Sequence, residues 1–424
     1  MSTLTRRQFI SLAGTISAIT AGATLSGCSQ SGKSKALELF QFKSEAIAYF
    51  NEVCKKYTQE HPQAGFFQNF QADNVTALRV RLVKDQIPDV ITINGDYSYG
   101  AIAKSGVFYD FTQTDLLGEV NPTVAQILPS LGRSAKDAVN GLPMSNNGSG
   151  IIYNKRIFDS VGIQPPRTWQ ELLDVCEKLK AAGIDPFYWA FKDDWIAAPM
   201  FNSISGNLLP ESVASWYAKR LEGQVTFREG LKDVFTKMAQ LAAYGNSNRF
   251  ELGYNDGNQG FAQERAAMYV HGTYAIPAIR SYNPDINLGT FAMPADNEAD
   301  TKVVSGVDVA ITMGADPAHL EENLEFIKFL MNREGLAQYC KEQVAFPPLT
   351  GMSTSDPALE GLAPYFEQQR LATYSDHNFS PAMNLNASLQ QFIFGESAET
   401  VLTTLDKQWD KVTRRIKETT RQKP

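Results

Sequence analysis

Short β-rich runs alternate with amphipathic helical patterns along most of this chain, and this alternation restricts its fold class more than any other feature. Residues 36–42 alternate apolar and polar side chains as a strand does, and residues 45–57 then place apolar side chains on one helical face. Residues 89–93 and 303–312 give two further strand patterns. Strands that alternate with helices indicate α/β layering. We therefore predict an α/β fold.

Two helices are predicted from their terminal signals. Residues 168–171, Thr-Trp-Gln-Glu, form a capping-box pattern that starts a helix, and Gly183 ends it. Asp316 before Pro317 provides an N-cap and a favourable first residue. A single helix is therefore predicted from Pro317 to about Cys340.

The first 28 residues resemble the export signal of a lipid-anchored protein. A basic start at Arg6 and Arg7 precedes a mild apolar run, and residues 25–28 read Leu-Ser-Gly-Cys. The arginine pair resembles the twin-arginine signal, with the general route as the alternative. The last four residues resemble a bacterial lipobox, in which Cys28 becomes the lipidated first residue. We expect residues 1–27 to be a cleaved signal peptide and residues 28–35 a flexible polar tether.

That signal predicts an extracytoplasmic protein that is held at the cell membrane by a lipid group on Cys28, and this lipid group includes palmitate. A transmembrane helix is the alternative, but the apolar run is rich in Gly, Ser, Thr and Ala and is barely long enough to span a bilayer. Elsewhere, no stretch approaches the ~18–20 apolar residues that a span requires. The lipid anchor is therefore the only membrane contact that the sequence predicts.

Composition limits the partners and the number of domains. The net charge of −7 becomes −9 when Arg6 and Arg7 leave with the signal peptide. An acidic chain without a Lys/Arg cluster argues against a nucleic-acid partner, because phosphates need a basic face. About 390 mature residues are too many for one hydrophobic core, so we predict two domains.

Cysteine and histidine usage predicts neither a metal site nor a cofactor. Cys54, Cys176 and Cys340 each lie in an amphipathic helical pattern and are expected to be small buried apolar residues, although a disulfide between two of them stays open. The four histidines are scattered, without HExxH or paired Cys/His spacing. A Gly-x-Ser-x-Gly nucleophile signature is also missing from the sequence. We therefore predict no catalytic residue, metal or cofactor.

Residues 187–195 concentrate five aromatic and two acidic residues. The flat face of a pyranose packs on an aromatic ring, and carboxylates accept hydrogen bonds from sugar hydroxyls. Trp189, Asp194 and Trp195 are therefore candidate sugar contacts. The alternative is that the aromatic residues up to Phe191 fill a core while the two acids cap a helix.

Three polar loops lie beside predicted strands, where α/β folds place ligand-binding groups. Residues 42–45 follow the first strand, residues 94–97 follow the second, and residues 145–150 precede the strand-like residues 151–154. The third loop is Gly-rich but lacks the Lys-Ser/Thr of a phosphate loop. Its amides suit neutral hydroxyl ligands better than anions.

Several short motifs occur in an order that is typical of one protein family. They are Pro88-Asp89-Val-Ile, Gly141-Leu-Pro-Met, Ile152-Tyr-Asn154-Lys, Pro165-Pro-Arg-Thr-Trp169-Gln-Glu171-Leu, Ala267-Met268-Tyr-Val-His-Gly272-Thr-Tyr274, and Phe291-Ala-Met-Pro294 followed by Ser305-Gly306-Val. In order and spacing the chain resembles the extracellular solute-binding proteins of bacterial carbohydrate ABC importers. The resemblance covers essentially the whole mature chain.

The resemblance implies a two-lobe periplasmic-binding-protein-like fold with a hinge between the lobes. By similarity to the maltose-binding type, the chain would cross between lobes near Met144, Val304 and Phe346. The N-terminal lobe would then hold residues 36–144 and 304–345, and the C-terminal lobe residues 145–303 and 346–424. A ligand bonded to both lobes stabilises the closed state, to which the permease subunits of an ABC transporter would respond. A monomer is expected.

The resemblance also implies roles for individual residues. Asp96 stands at an acidic position that binds sugar hydroxyls, and Asn147 stands where the maltose type has a carboxylate. Tyr274 replaces a stacking tryptophan, and Trp195 lies near another stacking position. Residues 381–384 correspond to a further stacking region but contain no aromatic residue. The full set of predicted ligand-binding residues is Lys43, Ser44, Glu45, Asp96, Tyr97, Asn146, Asn147, Trp189, Asp194, Trp195, His271, Tyr274, Asp308 and Phe346.

The leading hypothesis is a noncatalytic, lipid-anchored receptor that captures a sugar or oligosaccharide for an ABC importer. One alternative is an exported carbohydrate-active enzyme, which needs two carboxylates ~5–5.5 Å or ~6.5–9.5 Å apart around one sugar bond. Another is the same fold with a polyamine, phosphate ester or metal chelate as ligand. A dianion favours an Arg pair or helix-terminal amides, and a polyamine favours a denser acidic pocket. The mixed amides, single acids and aromatic residues favour a neutral polyol.

Overall fold

The computed structural model describes residues 36–421, with side chains described through Arg415. The predicted signal peptide, Cys28 and the tether lie outside these residues. In the described part the strands are β1 (Leu37–Gln41), β2 (Phe66–Phe70), β3 (Val90–Ile93), β4 (Leu142–Asn154), β5 (Asp185–Phe187), β6 (Ala266–Gly272), β7 (Leu288–Phe291), β8 (Val303–Thr312) and β9 (Leu371–Ala372).

Helices surround these strands along the whole described chain. They are α1 (Ile47–Glu60), α2 (Asn74–Val83), α3 (Tyr97–Lys104), α4 (Pro122–Ala125), α5 (Ile127–Leu131), α6 (Lys155–Val161), α7 (Trp169–Ala181), α8 (Ala198–Leu208), α9 (Val213–Glu222), α10 (Phe227–Gly230), α11 (Lys232–Ala242), α12 (Tyr254–Ala262), α13 (Ala275–Tyr282), α14 (Leu320–Leu330), α15 (Arg333–Gln343), α16 (Ala363–Glu367), α17 (Leu385–Ile393) and α18 (Ala398–Arg421). None of the described helices is both long enough and apolar enough to cross a bilayer.

The strands form one mixed sheet in the order β2-β1-β3-β8-β4-β6-β5, with β7 added to β4 and β9 to β8. β1 lies parallel to both β2 and β3, and β5 lies parallel to β6. β8 runs antiparallel to β3 and β4 in the middle of the sheet. Parallel strands linked by helices, on either side of long antiparallel strands, confirm the predicted α/β class.

Two hydrophobic cores lie on either side of the middle of the sheet. The first core joins buried residues of β1, β3, α1 and α14 with those at the end of β8, such as Val309. The second core consists of two clusters, one around Ile151 and Met268 and the other around Ile152 and Tyr269. Because successive strand residues point to opposite faces, β4 and β6 contribute to both clusters and separate them.

β4 and β8 pass from one core to the other. The start of β4 pairs with the end of β8, where Leu142 faces Ile311, and the middle of β4 pairs with the start of β8, where Ser149 faces Val304. A third segment crosses beside them, because Phe346 exchanges two backbone hydrogen bonds with Asn146, with N···O distances of 2.7 and 2.9 Å.

The start of α7 follows from its capping residues. The Thr168 hydroxyl accepts a hydrogen bond from the backbone N–H of Glu171 at 3.2 Å, as the capping pattern predicts. The Glu171 carboxylate accepts instead from the backbone N–H of Arg167 at 2.7 Å, one residue earlier than in a capping box. Trp169 and Cys176 lie on the buried face of the helix, as predicted.

The prediction of a single helix from Pro317 to Cys340 is wrong. Two helices occupy this stretch, and α14 begins only at Leu320. Asn332 separates them because its backbone is extended and its side chain accepts a hydrogen bond from the N–H of Gly335 at 2.8 Å. A second N-cap therefore starts α15 inside a sequence whose apolar periodicity continues.

The three cysteines that the structure describes are buried and free, as their helical patterns indicate. Cys54, Cys176 and Cys340 lie on α1, α7 and α15. Burial raises the thiol pKa of each to about 12. They serve as small apolar core residues and not as reactive thiols.

Candidate functional site

Two adjoining cavities lie beside β8 and share Asn94, Asp376, His377 and Asn386. The aromatic cavity has a volume of about 160 Å³ and is lined by Trp195, Tyr274 and Tyr374 together with Asn147 and Asn202. The acidic cavity has a volume of about 360 Å³ and is lined by Asp96, Asp194 and Asp376 together with Tyr97 and Asn384. We refer to both together as the cleft.

The loop after β3 forms one side of the cleft. Its Asn94 lines both cavities, and the N–H of Gly95 donates to the carbonyl of Val307 on β8 at 3.0 Å. A Cβ at position 95 would lie 2.8 Å from that carbonyl oxygen, so only glycine permits this approach. Asp96 then caps α3, where one carboxylate oxygen accepts from the N–H groups of Ser98 and Tyr99 at 2.8 and 3.2 Å.

Among the described residues, the other Asp96 oxygen has one long contact, 3.5 Å from the Asn94 amide nitrogen. The carboxylate lines the acidic cavity. Helix capping fixes its orientation, and the second oxygen retains capacity to accept hydrogen bonds. The strand-end position predicted for Asp96 therefore places it where a ligand hydroxyl can reach.

Trp195 lies in a 3-10 turn, Asp194–Ala197, that leads directly into α8. Its half-buried ring contacts Tyr254 and His271, with ring centroids 4.9 and 5.6 Å apart. The rest of the ring lines the aromatic cavity. Neighbours on the inner side thus hold an aromatic surface toward the cavity.

Tyr374 forms a second aromatic wall that the sequence did not predict. Its hydroxyl donates to the Asn147 side-chain oxygen at 2.8 Å and lies 2.7 Å from the Ser149 hydroxyl. The ring packs on β8 at Gly306, where a Cβ would lie 2.7 Å from the ring. Tyr374 therefore places an aromatic ring at the cavity seven residues before residues 381–384, which contain none.

Asp376 lies between the two cavities and also escaped prediction. Its N–H donates to the Asn202 side chain at 3.0 Å, which fixes the residue beside α8. Its Oδ1 is buried and has no hydrogen-bond partner among the described residues. A buried carboxylate oxygen without a donor is unfavourable. A ligand hydroxyl in the cleft would supply that donor.

Several predicted residues do line the cleft, and they come from both sides of it. Asp96 and Tyr97 follow β3, Asn147 lies on β4, and the remainder lie near α8 and α13. The predicted residues in this group are Asp96, Tyr97, Asn147, Asp194, Trp195 and Tyr274.

Trp189 and Phe346, predicted as ligand contacts, fill hydrophobic cores, so the structure places them outside the cleft walls. The Trp189 ring stacks between Phe187 and Phe191 at 4.9 and 5.1 Å, and its indole N–H donates to the carbonyl of Tyr244 at 2.7 Å. Phe346 stacks on Phe366 at 3.8 Å. Both side chains are buried, and neither lines the cleft.

The first-loop residues do not line the cleft either. Lys43 forms a buried ion pair with Asp308. Ser44 and Glu45 are exposed, and the Ser44 hydroxyl donates to the Glu45 carboxylate at 3.0 Å. Asn146 lies on β4 and, unlike its neighbour Asn147, is fully buried where the strands cross. The structure therefore places these predicted contacts around the cleft and not in its walls.

His271 lies behind the aromatic cavity. It is buried, and its Nδ1 lies 3.4 Å from the Tyr274 hydroxyl. Burial lowers its pKa to about 3, so the imidazole is neutral at physiological pH. His271 supports Trp195 and Tyr274 from behind and does not itself line the cleft.

We expect His271 to make the fold acid-sensitive. Below about pH 6.5 the unfolded chain binds a proton on this residue, whereas the folded chain does not until about pH 3. Stability is therefore lost as the pH falls, by about 2 kcal/mol between pH 7 and pH 5 from this group alone. Urea unfolding of the wild type and of His271→Gln at both pH values measures the effect. The variant should lose about 2 kcal/mol less over that interval, and an identical pH dependence would contradict the assignment.

The side chains that line the cleft suit a neutral, hydroxyl-rich ligand. Of the described residues that line it, none is lysine or arginine. Aromatic faces, amides and carboxylates are present instead. The aromatic faces can pack against a polyol, and the amide and carboxylate oxygens can accept hydrogen bonds from its hydroxyls. In residues 36–415, no three His, Cys, Asp or Glu side chains come together as a metal site requires.

Comparison with known proteins identifies relatives along most of the chain. Residues 43–337 match the family model of the bacterial extracellular solute-binding proteins. A multiple sugar-binding protein of Streptococcus mutans is 28% identical over 342 residues, which cover 78% of this chain and 79% of that protein. The sn-glycerol-3-phosphate-binding periplasmic protein UgpB of Shigella flexneri is 25% identical over 239 residues, which cover 53% of each chain.

The fold has similar counterparts among solved structures. The solute-binding protein RafE in complex with raffinose superposes with a TM-score of 0.76. The two chains are 21% identical, and the match covers 89% of this chain and 100% of the other.

Proposed function

The chain belongs to the bacterial extracellular solute-binding proteins and has their two-lobed α/β fold, and from this premise we propose that it captures a neutral sugar or oligosaccharide for an ABC importer. The observation that carries the proposal is the cleft, in which Trp195, Tyr274 and Tyr374 surround carboxylate and amide acceptors. Sugars combine an apolar ring face with a rim of hydroxyl donors, and this set of residues complements both.

The charge of the cleft supports a sugar over a phosphate ester, although one relative is named for binding glycerol phosphate. Asp96, Asp194 and Asp376 line the acidic cavity, and the cleft residues described include no Lys or Arg. A dianionic phosphate beside these carboxylates would be repelled, and no guanidinium would offer the bidentate contacts that phosphate sites use. A neutral polyol meets neither obstacle.

Capture by closure of the two lobes is part of the proposal. The N-terminal lobe would comprise residues 36–144 and 304–345, and the C-terminal lobe residues 145–303 and 346–424. Asp96 and Asn94 then belong to one lobe, whereas Trp195 and Asp376 belong to the other. A sugar that is hydrogen-bonded to both lobes stabilises the closed arrangement. The gain in free energy equals the difference between its binding free energies for the two arrangements.

We also propose that Cys28 carries the lipid anchor and that a monomer presents the sugar to the permease subunits. The sequence before Ala36 supports the anchor through its lipobox and polar tether. Binding without catalysis is the role that fits the family.

A thermal unfolding panel tests the proposed function. We expect one family of neutral sugars to raise the unfolding midpoint saturably, because a ligand that binds only the folded state stabilises it by mass action. The panel would contain glucose, maltotriose, raffinose and stachyose, with sn-glycerol 3-phosphate and spermidine as charged comparisons. Chromatography of the sugars after incubation reports any cleavage.

Each alternative ligand gives its own result in this panel. A shift with glycerol phosphate or spermidine and with no sugar would reject the sugar assignment. Cleavage of an oligosaccharide would reject the receptor and favour a carbohydrate-active enzyme. A saturable shift with an intact sugar is the result that the proposal requires.

A further inference from the structure

The pairing of β4 with β8 is interrupted where the two strands cross between the cores. Pro143 faces Ala310 and Ser145 faces Val309, but Asn146 then faces Val307. Asp308 therefore has no residue opposite it and lies in a β-bulge. Bulges bend a strand and redirect a side chain, and this one lies beside the proposed crossings near Met144 and Val304, with Lys43 and Asp308 both in the proposed N-terminal lobe.

The side chain of Asp308 pairs with Lys43, which follows β1 in the first loop. The Lys43 ammonium donates to Oδ2 of Asp308, and both residues are buried, with 7% and 9% of their surface exposed. The Lys43 N–H also donates to the side chain of Gln41 at 2.7 Å. The ion pair therefore connects the end of β1 to the bulge.

The surroundings of this pair are polar and incompletely satisfied. Asn146, next to the bulge, is fully buried, and both its amide atoms lack a hydrogen-bond partner in the described structure. The Tyr374 hydroxyl, in the wall of the aromatic cavity, has a pKa raised by burial and, to a smaller degree, by the charges of Asp376 and then Asp308, while its contact with Ser149 lowers the pKa. The pair thus lies at the bulge of the crossing strands and does not line the cleft.

We propose that the Lys43–Asp308 ion pair sets the balance between the open and closed lobe arrangements, and so the affinity for every sugar, without contacting the sugar. The inference rests on the proposed function. A buried charge that loses its partner is strongly unfavourable. On this proposal, the open arrangement admits water to the crossing strands and so stabilises the unpaired charge.

This mechanism has a consequence that a direct contact does not share. When only the closed arrangement binds, the apparent dissociation constant equals the intrinsic constant divided by the closed fraction. A change in that fraction multiplies the constants of all sugars by the same factor. Loss of a direct contact changes the constant most for the sugars that use that contact.

The test compares Lys43→Met, Asp308→Leu and the double variant by calorimetric titration with three sugars that shift the unfolding midpoint of the wild type. Lys43→Met leaves Asp308 unpaired and should weaken binding of all three sugars by a common factor of about ten or more. The double variant carries no unpaired charge and should recover to within about threefold of the wild type. Asp308→Leu leaves Lys43 unpaired and should weaken binding in the same way. Small-angle scattering of the ligand-free proteins should show a larger radius of gyration for each single variant and a wild-type radius for the double variant.

Controls separate this effect from a general loss of stability. Arg81→Met breaks the Arg81–Glu38 pair in the same core and should leave sugar affinity and radius unchanged. Asp308→Asn keeps an acceptor for Lys43 and replaces Lys43→Met if that variant does not fold. It should weaken all sugars by one smaller common factor.

If the wild type binds sugar, two results would reject the ion-pair inference and leave the proposed function standing. Unchanged affinity in both Lys43→Met and Asp308→Asn is the first. The second is a loss that differs between sugars and persists in the double variant, which would make Lys43 a direct ligand contact. A wild type that binds no sugar rejects the proposed function itself and this inference with it.

Discussion

Replacing Asp376 by Ala is expected to weaken sugar binding by about tenfold to a hundredfold. Its Oδ1 is buried and accepts no hydrogen bond from the described residues, with Nε2 of His377 3.9 Å away, and Asp376 is the one acid described that lines both cavities. A hydrogen bond to a charged group contributes about 1.5–3 kcal/mol, and 1.4 kcal/mol corresponds to a factor of ten. Calorimetric titration with the sugar that gives the largest thermal shift measures the effect.

Two control variants separate the effect of the Asp376 charge from the effect of losing any surface carboxylate. Asp376→Asn keeps the size of the side chain and should fall between the wild type and the alanine variant. Asp285→Ala removes an exposed carboxylate outside the cleft and should bind as the wild type does. Wild-type affinity in Asp376→Ala would show that the sugar does not use this carboxylate.

Replacing Trp195 by Ala should weaken binding by at least about tenfold, which corresponds to about 1.4 kcal/mol. The indole is the largest aromatic surface of the cleft, and Tyr254 and His271 hold it in place. The alanine variant lacks a stacking face for the sugar ring, so the apolar face of the sugar stays in contact with water.

Two further variants test whether stacking is the reason. Trp195→Phe keeps a smaller aromatic face and should lose less affinity than the alanine variant. Tyr282→Ala removes a tyrosine that is 48% exposed and lies outside the cleft, so its affinity should not change. Equal affinities for Trp195→Ala and the wild type would remove this ring from the binding site.

The fold was largely predictable because its signals are local. β8 spans Val303–Thr312, as the apolar run predicts, and Thr168 caps α7 in the predicted place. Strand alternation and side-chain caps depend on residues close in sequence. The break before Arg333 was missed because the Asn332 cap lies within a continuing helical periodicity.

Sequence reasoning placed a residue in the cleft wall where a strand end fixes its position. Asp96 and Asn147 follow or lie on strands of the central sheet and do line the cleft. Tyr374 and Asp376 lie on an irregular segment whose position depends on the pairing of β9 with β8 and on the space above Gly306. Nothing in the sequence near residue 374 reports those distant contacts.

Some predicted site residues lie outside the cleft walls because their positions depend on tertiary contacts. Trp189 and Trp195 belong to one aromatic run, and composition alone does not distinguish them. Trp189 enters a stack between Phe187 and Phe191, whereas the 3-10 turn after Asp193 directs Trp195 to the cavity. Lys43 and Asp308 are both polar and both lie near the cleft, but they are 265 residues apart and their mutual pairing is a tertiary contact.

Tryptophan fluorescence during a sugar titration tests the central claim most directly. The five tryptophans all lie in the described residues, and Trp195 alone among them is not buried. If a neutral sugar binds in the cleft, emission should change saturably with the calorimetric dissociation constant, and Trp195→Phe should lose that change while still binding the sugar. Two results would contradict the account, because each would place the sugar elsewhere. One is full-affinity binding by Trp195→Phe with an unchanged fluorescence response, and the other is sugar binding by the wild type with no fluorescence response.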